Sequence, residues 1–94
     1  MFNLKEYFKK SSEIILSLSS HENQINEICK EINNCSNNSR KILVAGNGGS
    51  CSDCEHFVGE LQCTFKDRTR KPFSAISLPS LPAAITAWSN DFGF

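Results

Sequence analysis

Apolar side chains recur along the first segment, Asn3 to about Leu18, with Leu4, Tyr7, Phe8, Ile15 and Leu18 at steps of three, four and seven. That is the period of an amphipathic helix. Lys5, Glu6, Lys9, Lys10 and Glu13 fill its other face. Ser19 and Ser20 interrupt the pattern, and Ser19 with Glu22 has capping-box spacing for a second helix carrying Ile25, Ile28, Cys29 and Ile32 on one stripe. Two helices joined by so short a turn are expected to pack as a hairpin. The run Asn33, Asn34, Ser36, Asn37, Asn38 and Ser39 reads as a loop, because such side chains compete for backbone hydrogen bonds outside helices and strands.

The pattern then changes period. Lys41 to Ala45 is a short apolar run rich in β-formers, which predicts a strand buried on both faces, as in a parallel sheet. Gly46-Asn47-Gly48-Gly49-Ser50 follows at once, then a helical stretch from about Ser52 to Phe65, with Ser52 and Glu55 at capping-box spacing. Phe73 to Leu78 predicts a second strand, completing a right-handed βαβ unit. Ser80 is expected to cap a short helix from Leu81 to Trp88, with Pro82 in the first turn, where no donor is needed. Ser89 to Phe94 reads as turn chemistry with exposed aromatics. The fold class is therefore α/β: an N-terminal helical hairpin (1–35) and then the first βαβ unit of a doubly wound parallel sheet (41–94). Two parallel strands leave edges and faces uncovered, so the chain reads as the front, N-terminal portion of one larger domain.

Composition narrows the classes. The 94 residues carry ten basic and ten acidic side chains, so no net field attracts a polyanion or an anionic membrane. No apolar stretch is long enough to span a bilayer, and the interleaved charges of the first twenty positions do not form a signal peptide; a cytoplasmic location is expected. Five cysteines in such a chain read as reduced thiols, since an odd count leaves one unpaired in any disulfide scheme.

Candidate chemistry concentrates around the glycines. In open α/β sheets ligands bind beyond the carboxyl ends of the strands, where Gly46 to Ser50 falls. Glycines allow close backbone approach, the following helix N-terminus favours an anion or a polarised oxygen, and Asn47 and Ser50 add hydrogen bonds suited to sugar hydroxyls. The spacing is neither that of a dinucleotide fingerprint nor that of a P-loop, and a ligand-free tight turn stands beside the binding reading. Farther on, Asp53, His56 and Glu60 lie three and four residues apart, hence on one helix face. His56 and Glu60 at that spacing suit a divalent cation, with Asp53 as an orienting group or substrate contact; alternatively Glu60 is a general base positioned by His56, or the face is simply solvated. Cys51-x-x-Cys54 with His56 resembles part of a zinc knuckle, and a thioredoxin-like redox pair is a further reading. Cys54 and His56 point about 200° apart on a helix, however, so they do not share a metal, and small packing residues are the favoured reading. Cys63 adds no spacing signal, and His21 reads as a surface residue. Lys66, Arg68, Arg70 and Lys71, with Asp67 among them, read as a solvated basic loop, with phosphate contact second.

Taken in order, Gly46-Asn-Gly-Gly-Ser50, His56-Phe-x-x-Glu60-Leu61, Ala75-Ile-Ser-Leu78 and Asn90-Asp-Phe-Gly-Phe94 resemble the phosphoheptose isomerases of the sugar-isomerase (SIS) fold, over about the front half of that family's domain. The resemblance implies an aldose–ketose isomerase acting on sedoheptulose 7-phosphate through an enediol, feeding lipopolysaccharide or capsule precursors. It implies zinc held by His56 and Glu60, Glu60 as the catalytic base, and a substrate lined by Asn47, Gly48, Gly49, Ser50, Asn90 and Asp91. It also implies a homotetramer with the N-terminal helices at the contacts, and no nucleic-acid or membrane partner. The mechanism requires the imidazole and the carboxylate to face the mouth of the glycine turn. The family's Ser/Thr-rich phosphate loop and its later Gln and His have no counterpart in these 94 residues, and Thr64 or its neighbours stand where a basic residue often follows the Glu-Leu pair. The chain alone is accordingly expected to be inactive. Two other readings are a non-catalytic SIS protein that binds a partner, as a replication-initiator-binding relative does, and a decayed fragment.

Overall fold

A computed structural model of the chain describes residues 1–93. Phe94, the last residue of the Asn90–Phe94 motif, lies outside the described residues. The chain forms two compact units, Met1–Asn33 and a second one from Asn34 onward.

The first unit holds α1 (Leu4–Ser17), a 3-10 turn over Leu18–His21, and most of α2 (Glu22–Asn37). Asn3 caps α1 through its side chain, accepting from the Glu6 amide at 3.1 Å, which satisfies one of the free donors of the first turn. The helix–turn–helix order matches the sequence pattern. The apolar positions Leu4, Tyr7, Phe8, Ile15, Leu18, Ile25 and Ile28 are all exposed.

Helix α2 runs farther than expected, taking in Asn33 to Asn37, which the composition assigned to a loop. Its end is closed by backbone geometry. Ser39 sits in the left-handed region at φ 55°, its amide bonds Ser36 O at 3.2 Å, and the Arg40 amide reaches back to Cys35 O at 2.8 Å. This is a Schellman arrangement, which uses carbonyls that polar side chains would otherwise compete for. Local polarity was thus outweighed by a closed helix end.

In the second unit, β1 (Ile42–Val44) pairs in parallel with β2 (Ala75–Ser77) in the register Ile42 to Ala75, Leu43 to Ile76 and Val44 to Ser77. Helix α3 (Gly49–Gln62) connects them, giving the expected βαβ unit. The core lies between α3 and β2: Cys54, Val58, Ala75 and Ser77 are buried. Their alternation on β2 follows the strand period, with Ala75 and Ser77 sharing one face.

The observed elements differ from expectation at four further points. Strand β1 is not buried on both faces, since Leu43 is 60% exposed; β2 is its one partner strand among the described residues, so its other edge is unpaired there. Helix α3 starts at Gly49, so Ser52 and Glu55 lie inside it and do not form a capping box. Helix α4 covers Pro82–Phe92 and absorbs Ser89 to Phe92, read as a turn from composition. Pro82 does occupy its first turn, as expected. Ser80 does not cap α4; it sits in the 3-10 turn Leu78–Ser80 and its hydroxyl donates to Ser77 O at 2.6 Å.

Candidate functional site

The glycine turn is built by two requirements of the backbone. A Cβ on Gly46 would lie 2.6 Å from the carbonyl oxygen of Ser50, closer than real Cβ contacts, because the turn folds back onto the start of α3. Gly48 has φ 59°, a left-handed conformation that a side chain would strain. The turn is closed by the Ser50 amide on Asn47 O and the Cys51 amide on Gly48 O, both at 3.1 Å.

This turn forms one wall of a cleft of about 640 Å³. The cleft opens beyond the carboxyl ends of β1 and β2, where open α/β sheets bind ligands. Ala45, Gly46, Asn47, Gly48 and Cys51 line one side, and Leu78, Pro79, Leu81, Ala84 and Ile85 line the other. Of the expected substrate residues, Asn47 and Gly48 are in this wall, whereas Gly49 and Ser50 are the first exposed residues of α3 and do not line it. Asn90 and Asp91 lie on the last turn of α4, both exposed and joined by a 3.1 Å hydrogen bond from Asn90 Nδ2 to Asp91 Oδ1. They do not border the cleft.

His56 and Glu60 do meet. Nε2 of the imidazole is 3.0 Å from Oε1 of the carboxylate, one helical turn on. The pair lies farther along α3 than the glycine turn. His56 comes seven residues after the first residue of α3, and at about 1.5 Å rise per residue that sets it roughly 10 Å along the helix from the turn. Its side chain is 77% exposed and that of Glu60 36%. Neither lines the 640 Å³ cleft. Glu60 instead borders a second cavity, of about 330 Å³, walled by Phe57, Leu61, Phe65, Arg70 and Phe73. Asp53 is exposed and makes no hydrogen bond to either partner, so the orienting role expected of it is not built.

An imidazole nitrogen and a carboxylate oxygen this close are two donors of the type zinc accepts. Among the described residues no third histidine, cysteine, aspartate or glutamate joins them. The pair therefore fits two positions of a zinc site, with the others unfilled by this part of the chain. The CxxC does not contribute: Cys54 is buried and packs in the core, Cys51 lines the cleft, and all five cysteines are free thiols.

The basic loop after α3 contains a residue that composition placed wrongly. Arg70 is half-buried rather than solvated, and its guanidinium donates to the backbone carbonyls of Glu60 at 2.6 Å, Leu61 at 2.9 Å, Cys63 at 3.1 Å and Lys71 at 3.3 Å. The available signal was a cation shortly after a predicted helix end that lacks a C-terminal glycine. Asp67 in the same loop accepts from the Thr69 hydroxyl at 2.7 Å and the Thr69 amide at 2.9 Å, which hold its carboxyl below the usual aspartate value.

Comparison with known proteins returns one family of names. The chain is 38% identical over 90 residues to a phosphoheptose isomerase of Helicobacter pylori strain P12, an alignment covering 96% of this chain and 46% of that protein. A phosphoheptose isomerase of Aquifex aeolicus is 35% identical over 92 residues, 97% of this chain and 48% of its own length. Over a shorter stretch of 57 residues, 61% of this chain and 29% of the relative, identity to the phosphoheptose isomerase of Helicobacter pylori strain 26695 reaches 51%. No family model matches the chain. The chain spans about half the length of the curated relatives it matches. The resemblance read from the motifs thus extends along nearly all of these residues.

Proposed function

We propose that this chain, similar to the phosphoheptose isomerases over nearly its whole length, is part of a cytoplasmic sugar-phosphate isomerase. Its substrate is sedoheptulose 7-phosphate, converted to the corresponding aldose for lipopolysaccharide or capsule precursors. The observation that carries this reading is the 3.0 Å approach of His56 to Glu60 within a chain so similar to those relatives.

The residues divide the work. Glu60 takes the proton from one carbon of the sugar and returns it to its neighbour, so that an enediol links ketose and aldose. His56 and Glu60 supply two donors for zinc, and the remaining donors come from outside the described residues, either from a further segment or from another copy. Bound zinc supplies Lewis-acid polarisation of the sugar oxygens. Asn47 and the backbone of Gly48 hold the sugar hydroxyls at the cleft, and Gly49, Ser50, Asn90 and Asp91, which do not line it, contact the substrate from the surfaces beside it. Because Glu60 and the cleft are separated along α3, the sugar is held at both only when another surface closes over that helix. A homotetramer provides such a surface, and it also covers the apolar stripe of α1. The chain alone is inactive on this account.

The test is isomerisation of sedoheptulose 7-phosphate in the presence of zinc, by this chain and by a form extended with the coding sequence downstream. Turnover by the extended form that disappears with Glu60→Gln supports the assignment. A folded, zinc-supplied extended form without turnover sinks it and favours a partner-binding protein.

A further inference from the structure

Helix α3 ends without the usual devices. It has no glycine after its last turn, its final turn contains no basic residue, and Cys63, the residue that follows its last, sits at φ −94°, ψ −136°. The carbonyls of Gly59, Glu60, Leu61 and Cys63 nevertheless have partners. The Cys63 amide takes Gly59 O at 2.9 Å, and the Phe73 amide takes Leu61 O at 3.0 Å. The carbonyls of Glu60 and Cys63 are taken by Arg70, which also shares Leu61 O.

We propose that Arg70 is the positioning residue for Glu60, fixing the last turn of α3 so that the carboxylate stays on His56. The inference rests on the reading of Glu60 and His56 given above. The short bond from Nη2 to Glu60 O, 2.6 Å, acts on the backbone of the same residue whose side chain reaches the imidazole. A planar fork with several donors can bond carbonyls on both sides of a helix end at once, whereas a lysine ammonium is a point charge on a flexible stem. The guanidinium is itself held: its central carbon lies 5.0 Å from the centre of the Phe73 ring, and the aromatic wall of Phe57, Phe65 and Phe73 borders the same cavity. Phe73 leads into β2, so Arg70 adds to two other ties between the helix end and the sheet, the Phe73 amide on Leu61 O at 3.0 Å and Gln62 Nε2 on Ala75 O at 2.6 Å. Among the described residues Arg70 alone bonds the Glu60 and Cys63 carbonyls; without it the backbone at Glu60 is released, and a shift of about 1 Å takes a 3.0 Å contact beyond hydrogen-bond range.

The experiment uses the 94-residue chain with ¹⁵N-labelled histidine. The ring nitrogens of His56 report its contact with Glu60, and those of His21, which pairs with Gln24 in the other unit, serve as the internal reference. Glu60→Gln sets the size of the His56 shift when the carboxylate is lost. Arg70→Lys and Arg70→Ala are expected to move His56 in the same direction by at least half as much, with His21 and the far-ultraviolet dichroism unchanged. Lys71→Ala, which removes a neighbouring charge, is expected to leave His56 in place. A folded Arg70→Lys chain with wild-type His56 signals overturns the proposal, and this variant decides the matter if Arg70→Ala does not fold. His56 signals that ignore Glu60→Gln also overturn it, because no contact is then being held. Adding Zn²⁺ to the wild-type chain bears on the metal reading separately: a shift of the His56 signals that Glu60→Gln abolishes supports it, while the Arg70 comparison stands or falls by its own variants.

Discussion

Nε2 of His56 and Oε1 of Glu60 are 3.0 Å apart on α3, yet the cleft made by the glycine turn is lined by neither residue. One helix therefore presents two separate pieces of chemistry, hydrogen-bonding backbone at its start and an imidazole–carboxylate pair more than a turn further on.

The pair sets the first prediction. Zn²⁺ affinity of the chain, measured by competition with a chromophoric chelator, is expected to fall about tenfold or more with either His56→Ala or Glu60→Gln, since each removes one of two donors. Asp53→Asn is expected to leave it unchanged within about twofold, because Asp53 makes no hydrogen bond or ion pair with either partner.

The glycines of the turn and helix separate by what surrounds them. Gly46→Ala forces a Cβ against the Ser50 backbone and is expected to destabilise the second unit by about 1–3 kcal/mol or more. Gly59→Ala meets nothing within 4 Å inside α3 and is expected to stabilise it by up to about 1 kcal/mol. Urea unfolding of the two variants beside the wild type reads both signs.

Ser77 offers a stabilising change with a different cause. Its hydroxyl is buried at the end of β2 with no hydrogen-bond partner. An orphaned buried polar group costs about 1–3 kcal/mol, so Ser77→Ala is expected to raise the urea midpoint, and a lowered midpoint refutes the assignment of an unpaired hydroxyl.

The loop before β2 has a pH dependence of defined sign. The Thr69 hydroxyl, then its amide, lower the Asp67 carboxyl from 3.8. A depressed carboxylate stabilises the turn above its unfolded value and loses that contribution as pH falls through the lower folded value. The Thr69 amide resonance is expected to stay constant above about pH 4 and to shift in more acidic solution. Asp67→Asn is expected to abolish that shift.

Much of this architecture was legible locally. The amphipathic stripe of α1, the β-forming run at Ile42 to Val44, the glycine turn and the His56–Glu60 spacing all follow from neighbours a few residues apart, where periodicity and sterics decide. The ends of elements were less legible. Asn33 to Asn37 and Ser89 to Phe92 look like loop by composition, but a helix whose terminal carbonyls find partners extends through polar residues of weak propensity. Arg70 looked like one of four solvated cations, because its role depends on carbonyls from residues 60 to 63, brought to it by the return of the chain toward β2.

By itself the order of residues along the chain determined the α/β class, the position of the glycine turn and the pairing of an imidazole with a carboxylate one helical turn away, since all are set by short-range geometry. Which groups share a cavity was decided only by tertiary structure. Helical rise carries Glu60 away from the cleft and into the aromatic wall beside Arg70, and the fold of β2 against α3 selects Cys54, Val58 and Ala75 as core. Such neighbours are far apart in sequence, and no local pattern encodes their distance.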